Sequence, residues 1–545
     1  MLASQRLMGR LSVRLVLFIA AVLILYSAGL AHTPPHLHHD EVVISLQSHS
    51  VATTGRDFEG RLLPLYFHTP HVEQQAWYQP AIVYFTVPFL WVLPSAEWSF
   101  RFPTAVIATI NVLLMFLVAR RLFGSERWGW VAAILLAATP AHYLLGRVVF
   151  DFIYPLPFVL GWLLAVQCYL DDKRPWQLFA ATTVLGVGFY SYIASVAMMP
   201  IYLALTFFLL LAHRQLTLRT AALAIAGFAW PLLLLLPWIA REPGFVMDVL
   251  NRYSVGTTTA GGAQQLQSSL AGSLANVVSG FRPSAIAQRV SLYWTFFDPA
   301  YLFLIGGYTS LTATTRLVGV FLMPFLLLIP LGLMQMVTHA RNAASVVIVT
   351  GFLLAPLAAV LTVREPYSTS RQLPIVLFGA IIATYGIQRI LTWRGAGRAI
   401  AVATLALLPL HYLFFVNHYF GAYHGYAAAP FEWNHRDALA AIIERSPADK
   451  PKPVFLTTVR EQHIDAFWRL ALALHRREDL MAHTSYIFPA KMQGFDAIPA
   501  GALVLATVDD KSLLDAVKTG EFTEILRVRE PADDPVFIVL QRNPV

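Results

Sequence analysis

Residues 13–41 read VRLVLFIAAVLILYSAGLAHTPPHLHHDE, an apolar run that passes directly into a loop carrying four histidines, an aspartate and a glutamate. A helix rises about 1.5 Å per residue, so about 20 mainly apolar residues cross a bilayer, and residues 13–31 meet that need. Arg6 and Arg10 before the run, with Arg14 at its start, mark its amino end as cytoplasmic, because basic residues resist translocation. No small-residue cleavage site follows, so the run is read as a retained anchor and not as a removed signal. His38-His39-Asp40-Glu41 then stands on the far side of the membrane, at its edge.

Composition extends this reading to the whole chain. Of 545 residues, 57% are hydrophobic and 13% charged, and mean hydropathy is +0.59, which excludes a soluble globular domain and predicts a polytopic α-helical membrane protein. Windows long enough to span recur about eleven times. Alternating from the first, Arg120-Arg121, Lys173-Arg174, His213-Arg214, Arg341 and residues 394–398 fall on the cytoplasmic face. The other face receives the first loop (32–100), the junction at 147–151, a loop at 241–316, the segment 364–371 and the chain beyond 417. The expected organisation is a transmembrane module over 1–417 followed by a periplasmic α/β domain over 418–545.

Several segments refine it. Residues 81–94 are apolar but too short to span, and are expected to lie along the interface. Residues 256–272, rich in Gly, Ser, Thr, Gln and Ala, read as a linker or as a lid that orders on substrate binding. Beyond Phe431 the patterning predicts helices at 437–445 and 512–517, strands at 453–459 and 502–507, and a hairpin of 522–529 with 536–541. This domain has no Gly-rich phosphate loop, zinc-finger spacing or nucleophile elbow, so it is expected to shape an acceptor site. The single cysteine, Cys168, excludes an internal disulfide and any multi-cysteine metal site. The net charge of +8 is scattered among loops, where orientation and anionic lipid account for it, and no nucleic-acid partner is expected.

The charged residues carry two readings each. Asp40 precedes a short helix expected at 42–50, where it serves as an N-cap or as a general base at a cavity mouth, and the two are compatible. Glu41 suits the same helix N-terminus. Asp151 follows Arg147 by four residues, either as a helical ion pair or as a second cavity acid. Arg61, Arg316, Arg364 and Arg371 lie on the outer face against the positive-inside trend, suited to a phosphate or to lipid headgroups. His32, His36, His38 and His39 are either solvated or an entrance site for a divalent cation, and no metal ligand is assigned. Trp77, Tyr78, Trp294 and Tyr308 suit sugar stacking or interfacial anchoring.

In order along the chain stand Asp40-Glu41, Thr54-Gly55-Arg56-Asp57, Leu63-Pro64-Leu65-Tyr66-Phe67, Phe100-Arg101-Phe102-Pro103, Arg121-Leu122-Phe123-Gly124 and Thr139-Pro140 leading to Arg147 and Asp151. Phe189-Tyr190-Ser191-Tyr192, Phe297-Asp298-Pro299, Ser370-Arg371 and Asn417-His418-Tyr419-Phe420 follow. The ordered set resembles the GT-C glycosyltransferases, specifically the bacterial branch of the protein mannosyltransferase and aminoarabinose transferase group. The resemblance implies an inner-membrane enzyme with a periplasmic active site, which moves a sugar from a polyprenyl-phosphate-linked donor to a hydroxyl of a cell-envelope acceptor. Lipid A or its core, another glycolipid, a polysaccharide and a protein are all open as acceptors. The resemblance further implies Asp40 as general base, Asp151 as a second acid, and Arg61, Arg316 and Arg371 as holders of the lipid phosphate. Glu41, Arg147, Tyr66 and Tyr192 complete the candidate site. Direct displacement implies inversion at the anomeric carbon. Two departures stand out: Gly146-Arg147 where the family often has Ser-Arg, and the histidine-rich entry. The rival readings are an O-antigen-ligase-like transferase with a diphosphate-linked donor, against which the early Asp-Glu pair argues, and a lipid or sugar transporter. A transporter is expected to show matching inverted halves, which the sequence lacks.

Overall fold

The computed structural model describes residues 2–68, 77–253, 282–306, 314–362, 366–459, 463–488, 492, 494–530 and 535–544. The stretch 256–272, Tyr308 and Arg364 lie outside the described residues. Among the described residues, six helices are long and apolar enough to cross a membrane: Glu97–Leu122, Asp151–Asp172, Ser195–Ala212, Leu218–Arg241, Ala343–Leu361 and Ala396–Phe420. Four shorter apolar helices accompany them, Val13–Ser27, Pro80–Leu90, Phe325–His339 and Ile375–Ile390. The chain is a polytopic helical membrane protein. Pro80–Leu90 has 11 residues and is about 16 Å long, too short to cross.

The chain divides into two compact units. The first comprises Met1–Ala28, Leu63–Tyr84 and Phe102–Val416, and the second Gly29–Leu62, Phe85–Arg101 and Asn417–Val545. In lipid the hydrophobic effect does not drive helix against helix, so close backbone approach at small residues does the work. Helices Phe325–His339 and Ile375–Ile390 illustrate this in the first unit: a Cβ on Gly332 would lie 1.9 Å from the Ile382 carbonyl oxygen, and one on Gly386 would lie 2.1 Å from that of Leu328. Ile375–Ile390 is buried around nearly its whole circumference and serves as a central post. A small ribbon, β1 (Phe67–His68) against β2 (Trp77–Tyr78), belongs to the same unit.

The second unit holds a five-stranded sheet of β3 (Val454–Thr457), β4 (Thr484–Ile487), β5 (Leu503–Thr507), β6 (Phe522–Arg527) and β7 (Phe537–Arg542). Their spatial order is β4-β3-β5-β7-β6, with β3 parallel to β4 and β5, and β7 antiparallel to β5 and β6. β5 is buried on both faces and β7 nearly so, which places the core at the sheet centre. Helix His435–Glu444 covers β5 and β7, and helix Ile464–His475 makes the crossover from β3 to β4. Onto Ile464–His475 packs helix His39–Thr54 from the first loop, so this unit is assembled from segments more than 400 residues apart in sequence.

Candidate active site

Asp40 lies in the first turn of helix His39–Thr54, which is longer at both ends than the sequence suggested. The N-cap is His38 and not Asp40: its Nδ1 accepts the Asp40 N–H at 3.2 Å, while Glu41 reaches back to accept the His38 N–H at 3.1 Å. Gly55, in the left-handed region at φ +69°, ends the helix. Capping is thereby performed by its neighbours, and the Asp40 side chain stands 36% exposed at the positive end of the helix.

Glu41 has a different position. It is fully buried and held by both arms of Arg101, Nε to Oε1 at 2.9 Å and Nη2 to Oε2 at 2.9 Å. The same guanidinium donates to the carbonyls of Pro34 at 2.9 Å, His36 at 2.5 Å and Leu30 at 3.3 Å. One arginine therefore ties residues 30–36 to the start of the Asp40 helix, using the planar fork that lysine lacks. Sequence reading placed Arg101 in the Phe100-Arg101-Phe102-Pro103 motif but gave it no role, although a lone cation near the start of a long apolar helix was a visible signal.

Arg61 is engaged locally. Its Nε donates to Asp57 Oδ2 at 2.7 Å and its Nη2 lies 2.8 Å from Glu59. Asp57 also accepts from the backbone N–H groups of Glu59 and Arg61, closing a tight turn at Gly60. A phosphate at Arg61 has to displace an aspartate or a glutamate. The histidines near Asp40 face Glu432: His39 Nδ1 hydrogen-bonds to Glu432 Oε1, and His38 Nε2 lies 3.8 Å from the same oxygen. Burial pushes the Glu432 carboxyl up, but the hydrogen bond and the nearby imidazoles outweigh it and hold the group below the usual carboxylate range.

In the first unit, helix Pro140–Leu145 ends before Arg147, so Arg147 and Asp151 do not share the helical i,i+4 spacing that the sequence suggested. Arg147 is fully buried, donates to the Tyr26 carbonyl at 2.7 Å and lies over the Tyr143 ring at 5.2 Å. Gly146 is required beside it: a Cβ there would meet Ala108 at 2.8 Å and the Tyr26 ring at 2.9 Å. Asp151 opens a buried 3₁₀ turn, Asp151–Ile153, that packs against the turn Thr369–Gln372 carrying Arg371. Phe152 meets Tyr192 edge-on at 5.3 Å. Asp151, Tyr192 and Arg371 thus belong to one neighbourhood. Arg316 is exposed, at φ +58° in the segment after Gly306.

Tyr66 is buried with Tyr190, Trp238 and Phe245, and the same elements wall an open cavity of about 320 Å³ lined by Leu63, Pro64, Leu65, Tyr84, Leu234, Pro237, Trp238 and Arg241. An apolar trough with one exposed guanidinium matches an isoprenoid chain with an anionic end. Sequence reading did not single out Arg241, which looked like an ordinary basic residue at a helix end.

Residues 78–240 match the dolichyl-phosphate-mannose-protein mannosyltransferase family. ArnT from Cupriavidus metallidurans is similar in structure over 96% of this chain and 97% of its own when bound to undecaprenyl phosphate, with 13% identity and a TM-score of 0.54. Its apo form gives 97%, 98%, 14% and 0.54. The chain shares the fold of ArnT. The archaeal oligosaccharyltransferase AglB from Archaeoglobus fulgidus, in complex with an inhibitory peptide and a dolichol-phosphate, matches 84% of this chain and 64% of its own, at 14% identity and a TM-score of 0.48. No curated protein matches the chain. The family-matched segment contains Arg101, Arg147, Asp151 and Tyr192, whereas Asp40, Glu41 and Arg61 precede it and Arg241, Arg316 and Arg371 follow it.

Proposed function

We propose that this protein transfers a sugar from a polyprenyl-phosphate-linked donor to a hydroxyl of a cell-envelope acceptor, with Asp40 as general base and inversion at the anomeric carbon. The observation that carries the reading is the division of labour between adjacent acids. Glu41 is buried and gripped by Arg101, while Asp40 lies on the same rigid turn with its side chain 36% exposed beside the His38 and His39 rings, where an incoming hydroxyl can reach it.

The donor side rests on the first unit. The trough beside Tyr66 offers an apolar bed with Arg241 at its rim, suited to a polyprenyl chain and its phosphate. Asp151 and Arg371, on turns packed together, supply an acid and a cation for the sugar and the leaving phosphate. Undecaprenyl phosphate in the ArnT structure supports the same class of donor. The active site is assigned to the periplasmic face of a bacterial inner membrane, following the charge asymmetry of the loops.

The test compares wild type with Asp40→Asn in lipid nanodiscs, given polyprenyl-phosphate sugars and membrane extract, and follows release of free polyprenyl phosphate by mass spectrometry. Loss of a positioned base lowers turnover about 10²–10⁴-fold. Undiminished release by the variant removes Asp40 from the chemistry, and retention at the anomeric carbon refutes single displacement.

A further inference from the structure

Around Asp40 the second unit gathers three imidazoles and two carboxylates from segments far apart in sequence. His38 and His39 come from the first loop, Glu432 and His463 from the chain after Asn417. The ligand atoms of His38, His39 and Glu432 lie within 4.8 Å of one another. In a tetrahedral zinc site, with bonds near 2.0–2.1 Å, such atoms stand about 3.3 Å apart, so small side-chain rotations close the set.

The orientation of the rings is more telling than their proximity. Each turns one nitrogen toward Glu432 and the other toward Asp40: His38 Nε2 lies 3.8 Å from Glu432 and its Nδ1 3.8 Å from Asp40, and His39 Nδ1 bonds Glu432 while its Nε2 lies 3.6 Å from Asp40. Metal-bound histidines commonly donate their second nitrogen to a carboxylate, which fixes the ring and raises its basicity. Asp40 stands beside both rings; for His38, coordination through Nε2 puts the ring proton on Nδ1, which then exchanges its bond from the Asp40 N–H for the Asp40 carboxylate 3.8 Å away. The two imidazoles lie 4.2 Å apart at 33°, and His463 stacks on His39 at 4.5 Å, closing the third side. Glu432 and Trp433 both have left-handed backbones, φ +58° and +69°, a conformation uncommon outside glycine and held here at the residue that faces both histidines. The three side chains are between 19% and 29% exposed, open enough for an ion and one water or hydroxyl ligand.

We infer that His38, His39 and Glu432 form a binding site for one zinc-class divalent cation, with His38 Nε2, His39 Nδ1 and a Glu432 carboxylate oxygen as ligands, Asp40 as the shared outer carboxylate, and a fourth position open. Two imidazoles and a carboxylate favour Zn²⁺ over Mg²⁺ or Ca²⁺, which take mainly oxygen. The inference does not rest on glycosyl transfer, and its readout needs no donor.

The experiment uses the full chain in nanodiscs, stripped with a chelator, re-equilibrated with Zn²⁺ and measured by plasma mass spectrometry, with Co²⁺ absorption reporting the ligand field. Wild type is expected to take up one Zn²⁺ per chain and to give a four- or five-coordinate Co²⁺ spectrum. Glu432→Gln and His39→Gln are each expected to weaken binding by at least about 100-fold at unchanged elution volume and helicity. His32→Ala, on the same loop, is expected to bind as wild type does. Absence of a stoichiometric ion in wild type, or equal affinity in His39→Gln and wild type, overturns the site and leaves an imidazole–carboxylate ion pair. The Gln variants at two positions keep the result readable if one of them misfolds.

Discussion

Asp40 and Glu41 are adjacent and chemically alike, and Arg101 gives them different surroundings. A buried ion pair is weak evidence of stability in itself, but removing one partner strands a charge and costs about 3–5 kcal/mol. Arg101→Lys is therefore expected to lower the unfolding temperature markedly, because lysine cannot grip both Glu41 oxygens and three backbone carbonyls. Replacing both partners, Glu41→Leu with Arg101→Met, relieves the stranded charge and is expected to recover most of the stability. Turnover should not recover, since residues 30–36 lose their tie to the helix that presents Asp40. Thermal unfolding and polyprenyl phosphate release, measured on the same samples, separate the two effects. Equal recovery of both assigns Glu41 and Arg101 to folding alone.

Among the elements, helix His435–Glu444 carries a pH dependence into the second unit. His435 stacks on Phe467 at 4.1 Å and lies 4.5 Å from Phe537, and burial pushes its pKa down to about 3. A depressed histidine contributes fully above its unfolded pKa, near 6.5, and the contribution is lost as pH falls from there toward the folded value. Each pH unit below about 6.5 costs about 1.4 kcal/mol, so the unit should open between pH 6 and 4 before the membrane helices do. His435→Phe fits between the same rings and is expected to flatten this slope, as read by hydrogen exchange of β5 and β7 at pH 5 and pH 7. An unchanged slope in the variant assigns the acid sensitivity elsewhere. The same elements show what a sequence can display. Apolar windows reveal spanning helices because lipid imposes both length and composition, and β5 is legible as a short apolar run buried on both faces. β4 was missed because it is an edge strand with only Ile487 buried, and edge strands carry little alternation. The set of His38, His39, Glu432 and His463 was equally illegible as a whole, since its members are up to 425 residues apart and meet only through the packing of helix His39–Thr54 on helix Ile464–His475.

At the scale of the whole molecule, the composition of the second unit constrains how the chain threads the membrane. Gly29–Leu62, Phe85–Arg101 and Asn417–Val545 form one compact body, and such a body lies on one side of a bilayer. The chain between Arg101 and Asn417 must then cross an even number of times. The roughly eleven windows read from hydropathy include one before Gly29, so a total of eleven satisfies this parity, whereas ten or twelve does not. By the positive-inside tendency, basic loops such as those of Arg341 and Arg398 are expected on the opposite, cytoplasmic side. A background in which Cys168 is replaced by alanine allows a direct reading with single cysteines at exposed positions. Glu59→Cys and Lys518→Cys, in the first-loop and C-terminal parts of the second unit, are expected to react with a membrane-impermeant maleimide in right-side-out vesicles. Arg341→Cys and Arg398→Cys are expected to react only after permeabilisation. Labelling of Glu59→Cys and Lys518→Cys from opposite sides is incompatible with a single second unit and, with it, with a site built from His38, His39 and Glu432. Labelling of both from the cytoplasmic side keeps the unit but inverts the enzyme, and moves the proposed acceptor out of the cell envelope.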